Sequence, residues 1–391
     1  MNYYALICEY NPLHNGHEYQ LSEIRKKSNC DGIICVMSGD FVQRAEPAVI
    51  NKLARTECAL RSGADMVVQL PTVYATGNGE LFAKGAIDII SKLPDVKYLA
   101  MGCETDNTNA LSILAEIQLN EPAKLKRILN ANLKRGLSYA ESYADATAKI
   151  AEKYNIGYDM SDVILSTPNN ILCMEYIKAL KRTGSNIEPV FIKRNNEASV
   201  SSSEIRKNIF SNNTDSYVKK YVPPHSYKRI HEENTIHPID FRTYSDIMTY
   251  TMKNMPLNTI AKTVDSAEGI EHRISAACNN TTNYNTLLEC VKTKRYTLSR
   301  IKRICLQCAF GINYDTISHI THTFAQVLGI KNYFKKYLSS LPSCFSIKAP
   351  IFEEYSNDIQ SLLNIEKAAH NLYTLLTHND TYKLHNRLIS I

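Results

Sequence analysis

Two kinds of hydrophobic pattern occur along this chain, and they are unevenly distributed. Short apolar runs without helical period read as strands buried on both faces of a parallel sheet: Tyr3 to Cys8, Gly32 to Met37, Met66 to Leu70, Tyr98 to Met101, Val163 to Leu165 and Pro189 to Ile192. Between them the spacing predicts helices over Ala48 to Ser62, Leu81 to Leu93 and Asn170 to Arg182. This alternation predicts a doubly wound, Rossmann-like α/β domain with a parallel sheet over residues 1–214. Beyond it, periodic segments at Phe241 to Lys253, Asn285 to Leu306, Thr316 to Leu328 and Ser361 to Leu376 predict a mostly α-helical C-terminal domain, residues 215–391. Ser211 to Thr214 and Val222-Pro223-Pro224-His225 interrupt the pattern and place the linker between the two.

The polar residues that break the first run carry the clearest chemistry. After the strand Tyr3 to Cys8 comes Glu9-Tyr10-Asn11-Pro12-Leu13-His14-Asn15-Gly16-His17, where Pro12 ends the strand and a helical pattern begins at Glu18. Asn15 and Glu18 read as a capping box, and Gly16 lets a ligand approach the backbone at a helix N-terminus, where free N–H groups favour an anion. Two imidazoles beside such an anion suit transition-state charge stabilisation, because their charge state is tunable near neutral pH. Taken alone, the string is equally a turn with two exposed histidines. A second helix start, Val200-Ser201-Ser202-Ser203-Glu204-Ile205-Arg206, groups three hydroxyls with a guanidinium. Ser201 and Glu204 read there as another capping box, and alone it is also an ordinary serine cap.

Composition bounds the class without identifying it. The chain has 391 residues, 44% of them hydrophobic and 21% charged, which allows a sizeable core and more than one folding unit. No apolar run approaches a membrane span, and Met1-Asn2-Tyr3-Tyr4 leads into the first strand without a basic signal-peptide start, so a cytoplasmic enzyme is expected. Eleven scattered cysteines, an odd number, suit reduced thiols; Cys305 and Cys308 form one CxxC without a second pair at zinc-ribbon spacing, and no metal ligand is assigned. Charge is informative once divided. Residues 1–214 carry 24 Lys plus Arg against 24 Asp plus Glu, and residues 215–391 carry 21 against 15, so the whole formal +6 lies in the second part. A domain that holds a polyanion needs such an excess; a solvated surface also accounts for it. Its densest stretch is Lys292-Thr293-Lys294-Arg295-Tyr296-Thr297-Leu298-Ser299-Arg300-Ile301-Lys302-Arg303. On one continuous helix the apolar residues Leu298, Ile301, Cys305 and Cys308 share a face, and Lys292, Arg295, Lys302 and Arg303 lie away from it. Tyr296 could stack on a base or simply pack.

An HxGH turn after the first strand, paired with a (V/I)SS(S/T)xIR turn much later, resembles the nucleotidylyltransferase superfamily. The resemblance is closer still to the bacterial tRNA(Met) cytidine acetate ligase family. It runs through EYNPLHNGH, MSGDFVQRAEPAVINKLAR from Met37, GADMVVQLP from Gly63, MGCE from Met101, TPNNILCMEYIKAL from Thr167 and TKRYTLSRIKRI from Thr293, in order along most of the chain. It implies an ATP-binding catalytic domain and a tRNA-binding domain. His14 and His17 are then catalytic. The ATP contacts extend over Ile7, Cys8, Glu9, Tyr10, Asn11, Pro12, Leu13, His14, Asn15, Gly16, His17, Glu18, Tyr19 and Gln20, with Gly102, Asn169, Arg194, Ser201, Ser202, Ser203 and Arg206. Lys292, Lys294, Arg295, Arg300, Lys302 and Arg303 would face tRNA. The implied substrates are ATP, acetate and elongator tRNA(Met), with Mg2+ expected beside ATP and no carboxylate assigned to it; no segment points to a membrane or protein partner. The implied reaction is formation of acetyl-adenylate followed by acetylation of the wobble cytidine. A coenzyme-type adenylyltransferase or a non-catalytic ATP-sensing RNA-binding protein are the alternatives. Asp40, Gln43, Arg44 and Glu46 form a polar loop suited to an acyl pocket or to closure, in which Arg44 could pair with a carboxylate or with Glu46. Here the chain departs from the family's usual residues, which are asparagine at Asp40, glycine at Ala45 and tryptophan at Leu53.

Overall fold

The computed structural model describes residues 1–194, 200–211, 215–320, 324–347, 356–383 and 388–391. Part of the expected linker, residues 212–214, lies outside them, as do residues 321–323 of the helix expected over Thr316 to Leu328.

Five strands form a parallel core: β1 (Tyr3–Cys8), β2 (Gly32–Ser38), β3 (Met66–Leu70), β4 (Val96–Cys103) and β5 (Glu188–Lys193). Their order across the sheet is β3-β2-β1-β4-β5, with every neighbouring pair parallel. β1 to β3 are nearly fully buried, as continuous apolar runs require when helices cover both faces. The chain steps outward from β1 to β3 and then crosses to β4 on the other side of β1, which opens a crevice at the carboxyl ends of β1 and β4.

Further strands come from the far end of the chain. β6 (Ala325–Ile330) pairs antiparallel with β3, matching Met66 with Ile330, and β7 (Ile389–Ser390) pairs parallel with β6. The helix expected over Thr316 to Leu328 is therefore corrected to a short helix, Tyr314–His319, followed by a strand. Ile317, Ile320, Phe324 and Leu328 do carry a helical spacing, but the open edge of β3 provides ladder hydrogen bonds that decide the conformation. The expected strand Val163 to Leu165 is likewise part of a helix, Tyr158–Ser166, in which Ile164 and Leu165 are buried and Val163 faces solvent.

Residues 215–320 are helical among those described, but the second part of the chain does not stand apart from the first. The long helix Asn357–Thr377 sets Glu366 against the end of β3, where it accepts from Gln69 Nε2 at 2.6 Å and Thr72 Oγ1 at 3.0 Å. Buried Asp40 accepts from Tyr382 Oη at 2.6 Å and from the Lys52 N–H at 3.2 Å. A single hydrophobic cluster extends from Tyr3 to Tyr382, so the sheet and the helical part share one core.

Candidate active site

The crevice at the ends of β1 and β4 is a cavity of about 470 Å³, within the range of small-molecule sites. Its first wall is the turn after β1. The helix Asn15–Arg25 follows, and its cap is His14, not the expected Asn15: the His14 Nδ1 accepts the Gly16 N–H at 3.1 Å, and the His17 Nδ1 accepts the His14 N–H at 3.3 Å. The expected Asn15–Glu18 capping box is thus replaced by one made of the two histidines. An imidazole nitrogen that accepts an N–H carries no proton, so in each ring the proton sits on Nε2. The rings stack with centroids 3.7 Å apart, an arrangement that two imidazolium ions would resist. Burial, with Arg194 adding to it, lowers the His14 pKa to about 4. Burial, His14 and Arg194 push that of His17 well below its ordinary value. At neutral pH the turn therefore presents two neutral rings with an Nε2–H each.

Arg206 joins this turn to the second signature string. Its Nη1 donates to the Asn11 carbonyl at 2.8 Å and its Nη2 to Ser203 Oγ at 3.2 Å, across 195 residues for the first contact. Ser201 caps the helix Ser202–Phe210 by accepting the Glu204 N–H at 3.2 Å. The reciprocal half of the expected capping box gives way to a hydrogen bond from Tyr217 Oη to Glu204 at 2.7 Å. Ser201, Ser202, Ser203 and Arg206 all line the cavity, opposite the histidines in sequence but beside them in space.

The β4 side of the crevice holds a three-residue cluster. Glu104 Oε1 accepts from Asn169 Nδ2 and from Arg194 Nη1, the latter at 3.2 Å, and the Glu104 N–H donates to Asn170 Oδ1 at 3.0 Å. Asn169 does not cap the helix Pro168–Thr183, whose cap position is Thr167, and the segment before it is a helix rather than the expected strand. Gly102 lies within β4 rather than in a turn. A Cβ there would come 3.4 Å from Gln20 Nε2, so the bare backbone keeps this wall open.

Of the residues expected to contact ATP, Pro12, Leu13, Asn15 and Glu18 do not line the cavity; the others do. Pro12 and Leu13 are buried beneath the turn. Asn15 donates to the Lys220 carbonyl at 3.1 Å, and Glu18 accepts from Ser62 Oγ at 3.4 Å. An apolar wall formed by Phe82, Leu172 and Tyr176 carries no signal of its own in the sequence, because its helical spacing is that of ordinary core positions. The polar loop divides. Asp40 is structural, as described above, and Glu46 pairs with Lys302, which leaves Arg44 exposed at the cavity without an ion-pair partner among the described residues. Ala45 has φ of 56°, the left-handed region in which the family's usual glycine is unstrained.

The basic segment is reorganised more deeply. Lys292 to Thr297 is a loop between the helices Tyr284–Val291 and Leu298–Phe310, so the six cations do not share one outward face. Arg303 makes a two-pronged pair with buried Asp265, at 3.0 and 3.3 Å. Arg300 pairs with Glu268 at 3.2 Å and donates to the Asp265 carbonyl at 2.9 Å. Lys302 pairs with Glu46. Tyr296 packs, with its hydroxyl on the Glu268 carbonyl at 2.6 Å. Lys292, Lys294 and Arg295 are exposed, although Lys292 meets Glu289 at 3.5 Å and Arg295 meets Glu268 at 3.3 Å.

A parallel sheet with this strand order, a crevice at its switch point and paired histidine and serine turns lining that crevice define a nucleotidyl-transfer class of protein. In agreement, residues 1–387 match the family model described as HIGH Nucleotidyl Transferase, and the chain belongs to that family. Within it, the chain is 35% identical to the tRNA(Met) cytidine acetate ligase of Thermoanaerobacter sp. (strain X514), over 98% of this chain and 96% of that one. It is also 35% identical to the protein of the same name from Acetivibrio thermocellus, over 98% and 97% of the two chains. Among solved structures, Thermotoga maritima TmcAL bound with alpha-thio ATP superposes with a TM-score of 0.91 at 27% identity, covering 100% of both chains.

Proposed function

We propose that this chain uses ATP to activate acetate and transfers the acetyl group to the wobble cytidine of elongator tRNA(Met), leaving N4-acetylcytidine. The observation that carries the reading is the pair of neutral histidine donors facing the Ser201–Ser203 helix start across Arg206. Negative charge grows on the α-phosphate oxygens and on the departing pyrophosphate when acetate attacks, and fixed donors lower that barrier without forming a bond. Neutral rings suit the task, because neither needs a counterion while the site is empty. The names of the relatives supply the acyl group and the tRNA; the donor set supports the adenylate-forming step.

In the first step an acetate oxygen attacks the α-phosphorus, pyrophosphate leaves, and acetyl-adenylate stays between the two turns. Arg194 and Asn169, preset by Glu104, hold the nucleotide on the β4 side. In the second step the cytidine, unstacked from its loop, enters the same crevice, as enzymes acting on bases require. Lys292, Lys294 and Arg295 contact the tRNA backbone. The Lys302–Glu46 pair fixes the neighbouring helix against the loop that carries Arg44, which sets the distance from that surface to the crevice. Among the described residues no three His, Cys, Asp or Glu side chains gather into a metal cage. A Mg2+ ion arriving with ATP would be held chiefly by the phosphates and water and would offset their charge.

Incubation with ATP, labelled acetate and bulk tRNA tests the reading. Label in tRNA, sensitive to digestion to N4-acetylcytidine, is expected. Adenylyl transfer to a small phosphate ester instead would establish a coenzyme-type adenylyltransferase. Absence of both would leave an ATP-binding protein that acts on RNA without chemistry.

A further inference from the structure

The cavity just described is lined by donors: two Nε2–H groups, three serines and the guanidinium groups of Arg44, Arg194 and Arg206. One carboxylate in it has no partner of that kind. Glu104 is held by Asn169 and Arg194, whereas Glu9 forms no ion pair among the described residues. Its Oε1 accepts the Gln43 N–H at 2.7 Å, and its Oε2 has no hydrogen bond among them.

The position of this carboxylate is strongly enforced. Glu9 directly follows β1, and fully buried Arg55 donates to the Glu9 carbonyl at 2.7 Å and to the Ser38 carbonyl at 3.1 Å, tying together the ends of β1 and β2. Of the guanidinium groups near Glu9, Arg55 is held by carbonyls and Arg206 by Asn11 and Ser203, and Arg44 forms no ion pair with it among the described residues. Neutralising an arginine therefore does not explain the residue. A carboxylate next to an anion site repels the phosphates that the donors attract. Its free oxygen suits a substrate group that donates or gives up a proton.

The second step of the proposed reaction contains such a group. The N4 amine of cytidine is weakly nucleophilic, and as it bonds to a carbonyl carbon it becomes acidic and must lose a proton. From the unpaired Glu9 oxygen on the β1 side of the phosphate site, we infer that Glu9 is the general base of acetyl transfer, taking the N4 proton as the amine attacks the acetyl-adenylate. The N4–C bond forms, the bond between the acetyl carbon and the phosphate oxygen breaks, and AMP leaves with that electron pair. The proton goes to Glu9 Oε2 and from there to solvent. Burial pushes the Glu9 carboxyl above its ordinary value despite the Gln43 N–H, Arg206, Arg55 and Arg44, which strengthens it as a base. The assignment rests on the acetyl-transfer reading above and specifies which atom completes it.

The test separates the two steps. Hydroxylamine traps acetyl-adenylate as acetohydroxamate without tRNA, and being far more nucleophilic than a base amine it has little need of Glu9. In Glu9→Gln, which keeps an acceptor for the Gln43 N–H, tRNA acetylation is expected to fall on the order of 10²–10⁴-fold, the usual range for a positioned base. Acetohydroxamate formation should fall far less. Glu9→Asp, with its carboxylate withdrawn by one methylene, should show the same split to a smaller degree, and it serves if the first variant does not fold. Equal losses in the two assays would make Glu9 a residue of the nucleotide site and overturn the inference, as would undiminished acetylation. If the wild-type chain gave neither product, the acetyl-transfer reading would fail before the question of Glu9 arose.

Discussion

The HxGH turn and the Lys292–Arg303 segment both carry dense polar chemistry, yet the fold uses them in opposite ways. In the turn, the functional groups satisfy their structural needs locally. His14 and His17 cap their own helix through Nδ1 and leave Nε2 for a ligand. In the basic segment the cations find partners far away in sequence: Asp265 for Arg303, Glu268 for Arg300 and Glu46 for Lys302. A residue whose structural role is local keeps a free atom for function, and one whose role is tertiary spends its charge inside the molecule. Lys292, Lys294 and Arg295 remain exposed.

The largest expected effect tests the two roles of His14 separately. Asparagine is as good a helix cap as any residue, but it has no donor where Nε2 stands. His14→Asn should therefore fold normally and lose about 10²–10³-fold in acetate-dependent adenylate formation, the usual loss for one preset donor. Wild-type pyrophosphate release in that variant would reduce the histidine to a cap. In His14→Ala the same loss should be joined by a lower melting temperature.

The basic segment should respond in the reverse sense. Arg303→Ala leaves the buried Asp265 carboxylate with a hydrogen bond, among the described residues, from Gln307 alone, whose Nε2 lies at 2.8 Å. Removing one partner of a buried pair costs roughly 3–5 kcal/mol, and urea unfolding should show a loss of that order. The salt dependence of tRNA binding should not change. A variant with native stability and a shallower salt slope would return Arg303 to the RNA interface.

What was legible in the sequence follows from the same division between local and distant partners. β1 and β3 and the helix Phe241–Lys253 have the predicted bounds, because apolar period and breakers such as Pro12 are local signals. The two signature turns were legible for the same reason, although the histidine capping box and the Arg206 bridge between them were not. β6 was misread because its strand character comes from β3, some 260 residues earlier. Val163 to Leu165 was too short a run to be told from one turn of helix. The fates of Arg300, Lys302 and Arg303 depend on acids that neither spacing nor composition could pair with them.

An acid titration sharpens the contrast from the side of the turn. In the native chain the His14 pKa is lowered from 6.5 to about 4. Above pH 6.5 neither state holds the proton, and native stability is complete. As pH falls toward 4 the unfolded chain takes up the proton first, so stability is lost across that window, by about 3 kcal/mol from this residue. His17 acts in the same direction. His14→Asn should flatten this part of the curve. Asp40, lowered to about 2 because Lys52, His370 and Tyr382 outweigh its burial, contributes a separate loss as pH falls from its ordinary 3.8. An unchanged slope between pH 6.5 and 4 in His14→Asn would mean that the ring is not held neutral by burial.

The smallest effect on the protein itself belongs to the exposed cations, and it decides whether the basic segment has any RNA role. Lys292, Lys294 and Arg295 lie in a solvent-facing loop, and their pairs with Glu289 and Glu268 join exposed or half-exposed groups. Pairs of that kind are screened and add little to stability. Replacing all three by glutamine should leave the melting temperature unchanged. If each neutralises a phosphate, the slope of log K against log salt for tRNA should flatten by roughly 2–3, since each contact releases somewhat less than one counterion. The helix next to this loop is locked to the Arg44 loop by Lys302 and Glu46, so weaker docking should also slow acetyl transfer at low tRNA concentration while acetohydroxamate formation stays at the wild-type rate. A triple variant with the wild-type salt slope would remove these three cations from the RNA interface.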